Sequence, residues 1–509
     1  MTEPTHTPRA TPGRLLALVL LISGGVAAPA MLGDFVWDDV ILISQNPAMD
    51  GLTSSWSSAW GDFFQQGMAN RSASGFFRPV PTLLNGLTVS LFGKTALAFH
   101  LVNLAVHLLA CGLLLVLLIR LSWSNAGAVV AVLLFSLHPM LAETISYISC
   151  RPELCAGAGS LLSIYAYDRH RTEASHGWLW IAALAYLLAL FSKEVAIGTL
   201  VVITLLEVSR YERRAWRSVA FMTMPLLGYL IARTVLLEST ASGRFDLGDQ
   251  PVVGLSLLGF YMTRVLWPLE PRALYEHLTP NTFDIYTVIG LGLLVVAIWM
   301  LSRRDRRNHP PVLGLLWFLI FIAPVLHLIS FGTIAAERYL YIPLMGCTAS
   351  LGWVISRYLD GERWIRATTI SLSVVLLLGF GFATSLRCGA WRSELTLWGT
   401  ELSRSPIHHS VYSNLGTALI EDGRAKEAHW AYNHAWSLAP GHSRIFRNLM
   451  RLESRSLPPA IRGQFLKSVL RPSLSAKDLI SWSERLKELG HSGLATKLKT
   501  RANALLITR

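Results

Sequence analysis

The sequence from Thr95 to Ile119, TALAFHLVNLAVHLLACGLLLVLLI, contains no Asp, Glu, Lys or Arg. A helix needs about 20 such residues to cross the hydrocarbon core of a bilayer, so this stretch predicts a transmembrane helix. The whole chain has the same character: its 509 residues are 52% hydrophobic and 15% charged, with a mean hydropathy of +0.43. Soluble chains carry about 25% charged residues. This composition excludes a disordered chain and argues against an ordinary soluble enzyme.

Further apolar windows extend along most of the chain, and together they predict an all-α polytopic membrane protein with about eleven transmembrane helices. The other windows are Leu15–Gly33, Leu121–Ala142, Leu154–Tyr167, Ala174–Ser192, Val195–Leu206, Ser218–Leu237, Ile285–Ser302, Asn308–Ala336, Arg338–Ser356 and Ala367–Leu386. The first window has a second interpretation, because Arg14, an apolar run and Ala28-Pro29-Ala30 also resemble a cleaved signal peptide. We favour a retained anchor, since the run continues to Gly33.

Basic residues set the predicted orientation. Clusters at positions 210–217 and 303–307 lie between apolar windows, and they fall on one side of the membrane if the spans alternate. By the positive-inside rule that side is the cytoplasm, so the N-terminus is cytoplasmic and a large first loop, 33–94, lies outside. The expected location is a bacterial inner or plasma membrane. The net charge of +13 is explained by these loops, and we predict no nucleic-acid partner.

The apolar windows stop after Leu386, which predicts two domains: a membrane domain, 1–386, and a helical module, 387–509, on the outer side. Within the module, 408–441 has the small-residue and turn pattern of one tetratricopeptide repeat, with Gly423 between its two helices. A single repeat needs a neighbour to cover its apolar face. Packing against other helices and docking of a protein substrate therefore remain open as roles for this module.

Ionisable side chains at membrane depth are costly, and they indicate a functional site. Here they gather at the predicted outer ends of the spans, where carboxylates and cations together suit a lipid-linked phosphate and an acid/base step. Simpler interpretations are that Asp38 and Asp39 are a solvated pair, that the ion pairs stabilise tight turns, and that Arg78 reaches the lipid headgroups. His100, Asn103 and His107 share a helix face, but without a further ligand they predict no metal site. The charged candidates are Asp38, Asp39, Arg78, His138, Glu143, Arg151, Glu153, Lys193, Glu194, Glu337 and Arg338.

These residues lie in motifs whose order is more specific than any one of them. The motifs are Phe35–Asp39, Trp60–Phe63, Phe77–Val80, Phe99–Asn103 with His107, Leu137–Pro139 with Glu143 and Thr144, Ile148–Glu153, Ser192–Glu194 and Glu337–Pro343. Over about residues 15–440 the chain resembles the protein O-mannosyltransferases of animals that carry C-terminal tetratricopeptide repeats, and their bacterial relatives, within the GT-C superfamily of membrane glycosyltransferases. The animal proteins have many repeats, whereas this chain shows one clear repeat.

The resemblance implies a GT-C-like fold and transfer of a sugar, with inversion, from a polyprenyl-phosphate donor to a hydroxyl on the outer face. The acceptor would be protein Ser/Thr or an envelope glycan. Asp38 or Asp39 would be the general base, with Asp38 favoured, and no metal or other cofactor is expected. A helix over Val252–Pro268 would lie at the interface near the lipid donor. The donor phosphate would bind Arg78, Lys193 and Arg338, supported by His138, Glu143, Arg151, Glu153, Glu194 and Glu337.

Three other functions are compatible with many spans and buried charges. The chain could transport or flip lipid-linked glycans, modify an envelope lipid or glycan, or serve as a non-catalytic assembly platform. Transporters normally have inverted repeats and discontinuous helices at the midplane. The sequence shows no internal repeat, and its charges cluster at the predicted outer ends. These features favour a glycosyltransferase over a transporter.

Overall fold

The computed structural model describes residues 12–64, 74–211, 214–237, 250–275, 278, 283–303, 309–327, 333–404, 407–440, 442–457, 459–470 and 476–507. All regular elements within these ranges are helical. The chain divides into two compact units, Met1–Ser393 and Glu394–Arg509.

The first unit contains fifteen α-helices among its described residues, and each predicted apolar window overlaps one of them. They are α1 Pro12–Ala27, α2 Leu52–Ala59, α3 Pro79–Phe92, α4 Ala96–Arg120, α5 Asn125–Ser136, α6 Ala142–Ser146, α7 Arg151–Glu173, α8 His176–Leu190, α9 Gly198–Arg210, α10 Trp216–Leu236, α11 Gln250–Leu266, α12 Ile285–Ser302, α13 Pro310–Ile322, α14 Tyr341–Leu359 and α15 Arg363–Ala390.

Six helical segments in the described chain are long and apolar enough to cross a membrane: Gly13–Leu32, Ala96–Arg120, Trp216–Leu236, Ile285–Ser302, Glu337–Leu359 and Arg363–Ala390. A seventh is formed if α5 and the segment Pro139–Ser146, which bend by 53° at Leu137–His138, act as one broken span. The other predicted spans are helices that are shorter or more polar. The predicted number of about eleven therefore stays a prediction.

The most polar of these helices is α7, which carries charged residues at both of its ends. Its middle is close-packed, because Gly157 faces the Tyr341 ring and Gly159 faces Ala189 on α8. A Cβ atom at either glycine would come within 3.0 Å of these neighbours. Buried on several sides, α7 needs no continuous lipid-facing apolar surface, and its ends can bear charges that other elements neutralise.

The predicted outer loop 33–94 contains helical structure. After α1 the chain forms a π-helical turn, Val40–Ser44, and then α2 and α3. Pro79 begins α3, which places Arg78 at the helix N-terminus. The Asp62 carboxylate accepts hydrogen bonds from the backbone N–H groups of Phe64, Ser74 and Gly75, which ties the segment before α3 together. This loop is therefore built to hold side chains in place.

The helix expected over Val252–Pro268 is observed as α11, and it packs closely against α12. Gly259 and Gly290 lie at the crossing, where an added Cβ would meet Tyr286 O at 1.9 Å and Leu255 O at 2.0 Å respectively. Glycine lets the two backbones touch at this crossing. The basic residues at 304–307 that support the predicted orientation lie outside the described residues.

The described part of the second unit contains seven α-helices. The predicted repeat, 408–441, corresponds to α17 and α18, which pack through Gly416 and the ring of Tyr432 and turn at Gly423, whose φ is +78°. The last two helices also pair, with the Ser483 hydroxyl donating to Ala495 O. The seven are α16 Glu394–Arg404, α17 His409–Glu421, α18 Ala425–Leu438, α19 Ser443–Glu453, α20 Pro459–Val469, α21 Ala476–Glu488 and α22 Ser492–Ile507.

Candidate active site

The acidic pair after α1 splits into one buried and one accessible carboxylate. Trp37 adopts a left-handed backbone conformation, with φ of +57°, just before the pair. The Asp39 side chain is 0% exposed and accepts three hydrogen bonds: from Val36 N at 3.2 Å, Ser149 N at 2.7 Å and Ser149 Oγ at 2.5 Å. Asp39 thus holds its own loop against the segment that follows α6.

The environment of Asp39 opposes its negative charge. Burial raises the pKa of Asp39 from 3.8 to about 7, although the bonds from Ser149 and Val36 act in the opposite direction. The neighbouring Asp38 charge raises this pKa further. A carboxyl group that is enclosed and fully hydrogen-bonded is poorly placed to accept a proton from a substrate.

Asp38 is only half-buried, and one of its oxygens accepts a hydrogen bond from the Tyr147 hydroxyl at 3.0 Å. The Tyr147 ring packs in a cluster with two indoles, whose own centroids are 6.5 Å apart. It stacks on Trp37 with ring centroids 5.6 Å apart and on Trp391 at 5.2 Å. This aromatic stack fixes the hydroxyl, and the hydroxyl in turn orients the Asp38 carboxylate.

A network of ion pairs links three of the predicted residues to Arg338. Glu143, which is 0% exposed, accepts from Arg338 Nη1 at 2.5 Å and from Arg338 N at 3.1 Å. Glu153 lies between two cations, 2.6 Å from Lys193 Nζ and 3.8 Å from Arg338 Nε. The Tyr339 ring lies beneath both cations, 4.8 Å from Lys193 Nζ and 5.3 Å from Arg338 Cζ.

Arg78 pairs with Glu194, whose Oε1 lies 3.2 Å from its Nη2. The guanidinium stands 4.5 Å from the centroid of the Phe76 ring and 5.4 Å from that of Phe63. Burial acts to raise the pKa of Glu194, but Arg78 and Lys193 outweigh it, so this pKa is lowered and the carboxylate stays charged. Each of the three predicted phosphate-binding cations thus has a carboxylate neighbour.

Three of the predicted supporting residues have structural partners. Arg151 is 1% exposed and donates to Asn103 Oδ1, Asn85 Oδ1, Thr88 Oγ1 and Phe99 O, so it joins α3, α4 and α7. His138 caps the short turn after α5, where its Nδ1 accepts from Met140 N, and its Nε2 bonds Val265 O on α11. Glu337 accepts from the Tyr275 hydroxyl at 2.8 Å.

The short segment 143–153 joins the two halves of the site. Tyr147 and Ser149 hold the acidic pair, while Glu143 and Glu153 hold the cations, and Arg338 lies close enough to Tyr147 to influence it electrostatically. Sequence reasoning covered this segment as a motif but did not single out Tyr147 or Ser149. Trp391 lies beyond the last apolar window and gave no signal in the sequence.

The chemistry available here is that of a half-buried carboxylate, Asp38, and several cations that are held by the same segment. A guanidinium has five N–H donors, and an ammonium has three, so the three cations can contact a further anion while keeping the ion pairs just described. The Nε of Arg78 is buried and has no hydrogen-bond partner among the described residues. In that part of the chain no cluster of three or more His, Cys, Asp or Glu side chains has the arrangement of a metal site.

Comparison with known proteins gives one group of relatives. The chain is 26% identical over 482 residues to human protein O-mannosyl-transferase TMTC1, covering 82% of this chain and 54% of that protein. It is 24% identical to the human TMTC4 protein O-mannosyl-transferase, with 80% and 64% covered, and to Drosophila melanogaster Tmtc1, with 77% and 58% covered. The chain therefore spans between about half and two thirds of the length of these relatives. No protein-family model matches it.

Among solved structures, an oligosaccharyltransferase from Archaeoglobus fulgidus tethered with an acceptor peptide aligns with a TM-score of 0.42 at 12% identity. The alignment covers 84% of this chain and 59% of that one. A score this low does not establish a common fold.

The apolar helices and these relatives define the class: the chain is a multi-pass membrane protein. More particularly, it is similar in sequence to protein O-mannosyl-transferases that bear TMTC names in several animals, as the order of its motifs predicts.

Proposed function

We propose that this protein is a membrane glycosyltransferase that moves a sugar from a polyprenyl-phosphate donor to a hydroxyl group, with protein Ser/Thr as the favoured acceptor. The observation that carries the proposal is the arrangement around segment 143–153. Its Tyr147 orients the half-buried Asp38, and its Glu143 and Glu153 hold Arg338 and Lys193. The similarity to named O-mannosyl-transferases supports the same reaction class.

In the proposed reaction Asp38 accepts the proton of the acceptor hydroxyl. The hydroxyl oxygen then forms a bond to the anomeric carbon, and the bond from that carbon to the phosphate oxygen breaks. Because the nucleophile attacks opposite the leaving group, the configuration inverts. The electron pair goes to the polyprenyl phosphate, whose negative charge increases as it leaves. The chain's contribution to this step is a positioned base and fixed cations.

The two aspartates have different roles in this proposal. Asp38 is accessible and is oriented by Tyr147, which suits a general base. Asp39 is enclosed by Val36 and Ser149, which suits a residue that positions the loop. Arg78, Lys193 and Arg338 bind the donor phosphate, and their carboxylate partners hold them in place before the donor arrives. Such preorganisation reduces the rearrangement needed during the reaction.

The proposed orientation places this site on the outer side of a bacterial plasma membrane, with the second unit on the same side. The positive-inside rule supports this orientation, because basic residues are concentrated in the loops on the opposite side. A role for the helix pair α17–α18 in presenting the acceptor protein is part of the proposal.

The test is single-turnover transfer from a polyprenyl-phosphate sugar to a Ser-containing or Thr-containing peptide by purified variants. Asp38→Asn should lower the rate by about 10²–10⁴-fold, the usual contribution of proton transfer by a positioned group. Asp39→Asn should have a smaller effect, through a loosened loop. Asp360→Asn, after α14 and away from this site, is the matched control and should be neutral.

Near-normal rates for both Asp38→Asn and Asp39→Asn would contradict general-base catalysis from this loop. Glu143 or Glu153 would then be the next candidates. If the Asp38→Asn protein also supports normal glycosylation in cells, a platform or flippase function is the better explanation.

A further inference from the structure

A cavity of about 310 Å³ lies between helices α4, α9, α13 and α14, and no step of the proposed reaction uses it. Its wall is almost entirely aliphatic and aromatic, with residues such as Leu114, Val202 and Leu313. Its polar side chains, Ser209 and Arg210, are adjacent at the C-terminal end of α9. The cavity is therefore apolar along its length and has a cation at one end.

The cavity lies toward the end of the membrane unit opposite the candidate active site. Helix α7 begins at Arg151, in the segment 143–153 of that site. Further along the same helix, Asp168 pairs with Arg210, which lines the cavity. At 1.5 Å per residue these two positions on α7 are about 25 Å apart. This separation is close to the ~30 Å thickness of a bilayer's hydrocarbon core. The charged residues at these two positions of α7 thus match opposite interfaces of the membrane.

The depth of the cavity fits within one leaflet. From Arg210 to Val202 along α9 is about 12 Å, and from Leu121, just after α4, to Leu114 is about 10 Å. Both distances lie within the ~15 Å that is half of the hydrocarbon thickness. Trp123 lines the cavity near its charged end, as tryptophans at a membrane interface do. A chain that enters from this interface would end near the bilayer midplane.

The charged end has an excess of positive charge. Asp168 is 0% exposed and pairs with two arginines, Arg120 and Arg210, and it also accepts from the Tyr211 hydroxyl at 2.7 Å. Among the residues that the structure describes, each arginine uses Nε and Nη2 in its hydrogen bonds, so Nη1 of each can bind another acceptor. Both side chains are partly exposed, at 25% and 30%. This end can hold an anion without breaking the pairs with Asp168.

We propose that the cavity binds one acyl chain of an anionic phospholipid from the leaflet at this end, with the lipid phosphate at Arg210 and Arg120. The aliphatic wall binds the acyl chain. Because two guanidinium groups share one carboxylate, Asp168, the net positive charge selects an anionic headgroup over a zwitterionic one. This lipid is distinct from the sugar donor, whose proposed phosphate site lies near the other end of α7.

The test places the full-length protein in nanodiscs of equimolar phosphatidylglycerol and phosphatidylcholine with identical acyl chains. Lipids that stay bound after release into the gas phase are then counted by native mass spectrometry. The wild-type protein should retain phosphatidylglycerol preferentially. Arg210→Gln should lower the ratio of retained phosphatidylglycerol to phosphatidylcholine by about fivefold, since one basic residue near a surface contributes ~1 kcal/mol. Arg217→Gln, an exposed arginine outside the cavity, is the matched control.

A second pair of variants tests the cavity itself. Leu313→Trp should fill it and abolish retention, whereas Leu315→Trp, on the same helix but outside the cavity wall, should not. The proposal is overturned if the wild-type protein retains both lipids equally or retains neither. It is also overturned if Leu315→Trp acts like Leu313→Trp, or if added polyprenyl phosphate displaces phosphatidylglycerol, which would assign the cavity to the donor's tail. The wild-type competition decides the matter even if a variant misfolds.

Discussion

At the scale of single residues, the structure separates two adjacent aspartates by their surroundings. The π-helical turn and the left-handed Trp37 direct the Asp39 side chain inward to Ser149 and leave Asp38 beside Tyr147. In an extended loop, adjacent side chains would face opposite sides, but the structure has a helical turn here, with φ −57° and ψ −37° at Asp39. The sequence does not predict which of the two aspartates faces a substrate, because that depends on Ser149 and Tyr147, more than 100 residues away.

Asp39 should make stability depend on pH. The pKa of Asp39 is about 7 in the folded protein, whereas an unperturbed Asp side chain has a pKa of 3.8. Between these two pH values the folded state therefore binds more protons than the unfolded chain. The contribution of Asp39 is therefore present at low pH and lost as pH rises toward 7, at up to about 1.4 kcal/mol of unfolding free energy per pH unit. Thermal unfolding in detergent from pH 5 to pH 8 should show a decline in wild type that Asp39→Asn reduces. Equal slopes for the two proteins would contradict the buried, protonatable state.

Arg338 should contribute to donor binding, and its buried partner complicates the measurement. Arg338→Ala leaves Glu143 without its cation, which can destabilise a protein by ~3–5 kcal/mol irrespective of any donor. The double variant Glu143→Gln with Arg338→Gln removes both charges together and should stay folded. We expect it to raise KM for the lipid-linked donor by at least tenfold, while Arg357→Gln, an exposed arginine of α14, leaves it unchanged. Normal donor kinetics in a folded double variant would assign the pair a structural role alone.

At the scale of helices, glycines decide how closely neighbours pack. Gly290 of α12 faces the backbone of α11, where a Cβ would lie 2.0 Å from Leu255 O, whereas a Cβ at Gly292 would meet nothing within 4 Å. The two positions are on the same helix and differ only in what they face. Tertiary packing, rather than helix propensity, should therefore determine the effect of a substitution.

Gly290→Ala should lower the apparent melting temperature of the detergent-solubilised protein, because overpacking a close contact typically costs ~1–3 kcal/mol. Gly292→Ala should be neutral or slightly stabilising, since alanine favours a helix over glycine by about 1 kcal/mol. The measurement is thermal aggregation of the two variants beside the wild type. If both lose stability equally, the contact between α11 and α12 is not the reason.

At the scale of the whole molecule, the sequence predicts a topology with a test of its own. A periplasmic reporter enzyme fused after Ser393, where the first unit ends, should be active on the outer side. The same reporter fused after Asp360, between α14 and α15, should be inactive there, because the basic residues of that connection place it in the cytoplasm. The reverse result would overturn the orientation and move the proposed site to the other face.

The domain division is close to the sequence-based boundary and differs for a clear reason. Hydropathy falls after Leu386, but α15 continues to Ala390 and the first unit to Ser393. The last turn of α15 contains a buried Arg387 and leads to Trp391, which stacks on Tyr147. Hydropathy identifies where a helix can face lipid, whereas the end of a unit depends on contacts that polar residues also make.

The membrane character, the apolar helix windows and the charged motifs can be predicted from the sequence alone, because hydropathy and charge are properties of short segments. Which charges meet depends on the tertiary structure. Arg338 pairs with Glu143 across 195 residues of sequence and Arg78 with Glu194 across 116. The fold also directs Arg151 and His138, two of the predicted site residues, into hydrogen bonds with neighbouring helices. It leaves an apolar cavity beside Arg210. Burial changes the free energy of a charge according to the partners the fold brings to it, and no local pattern in a sequence specifies those partners.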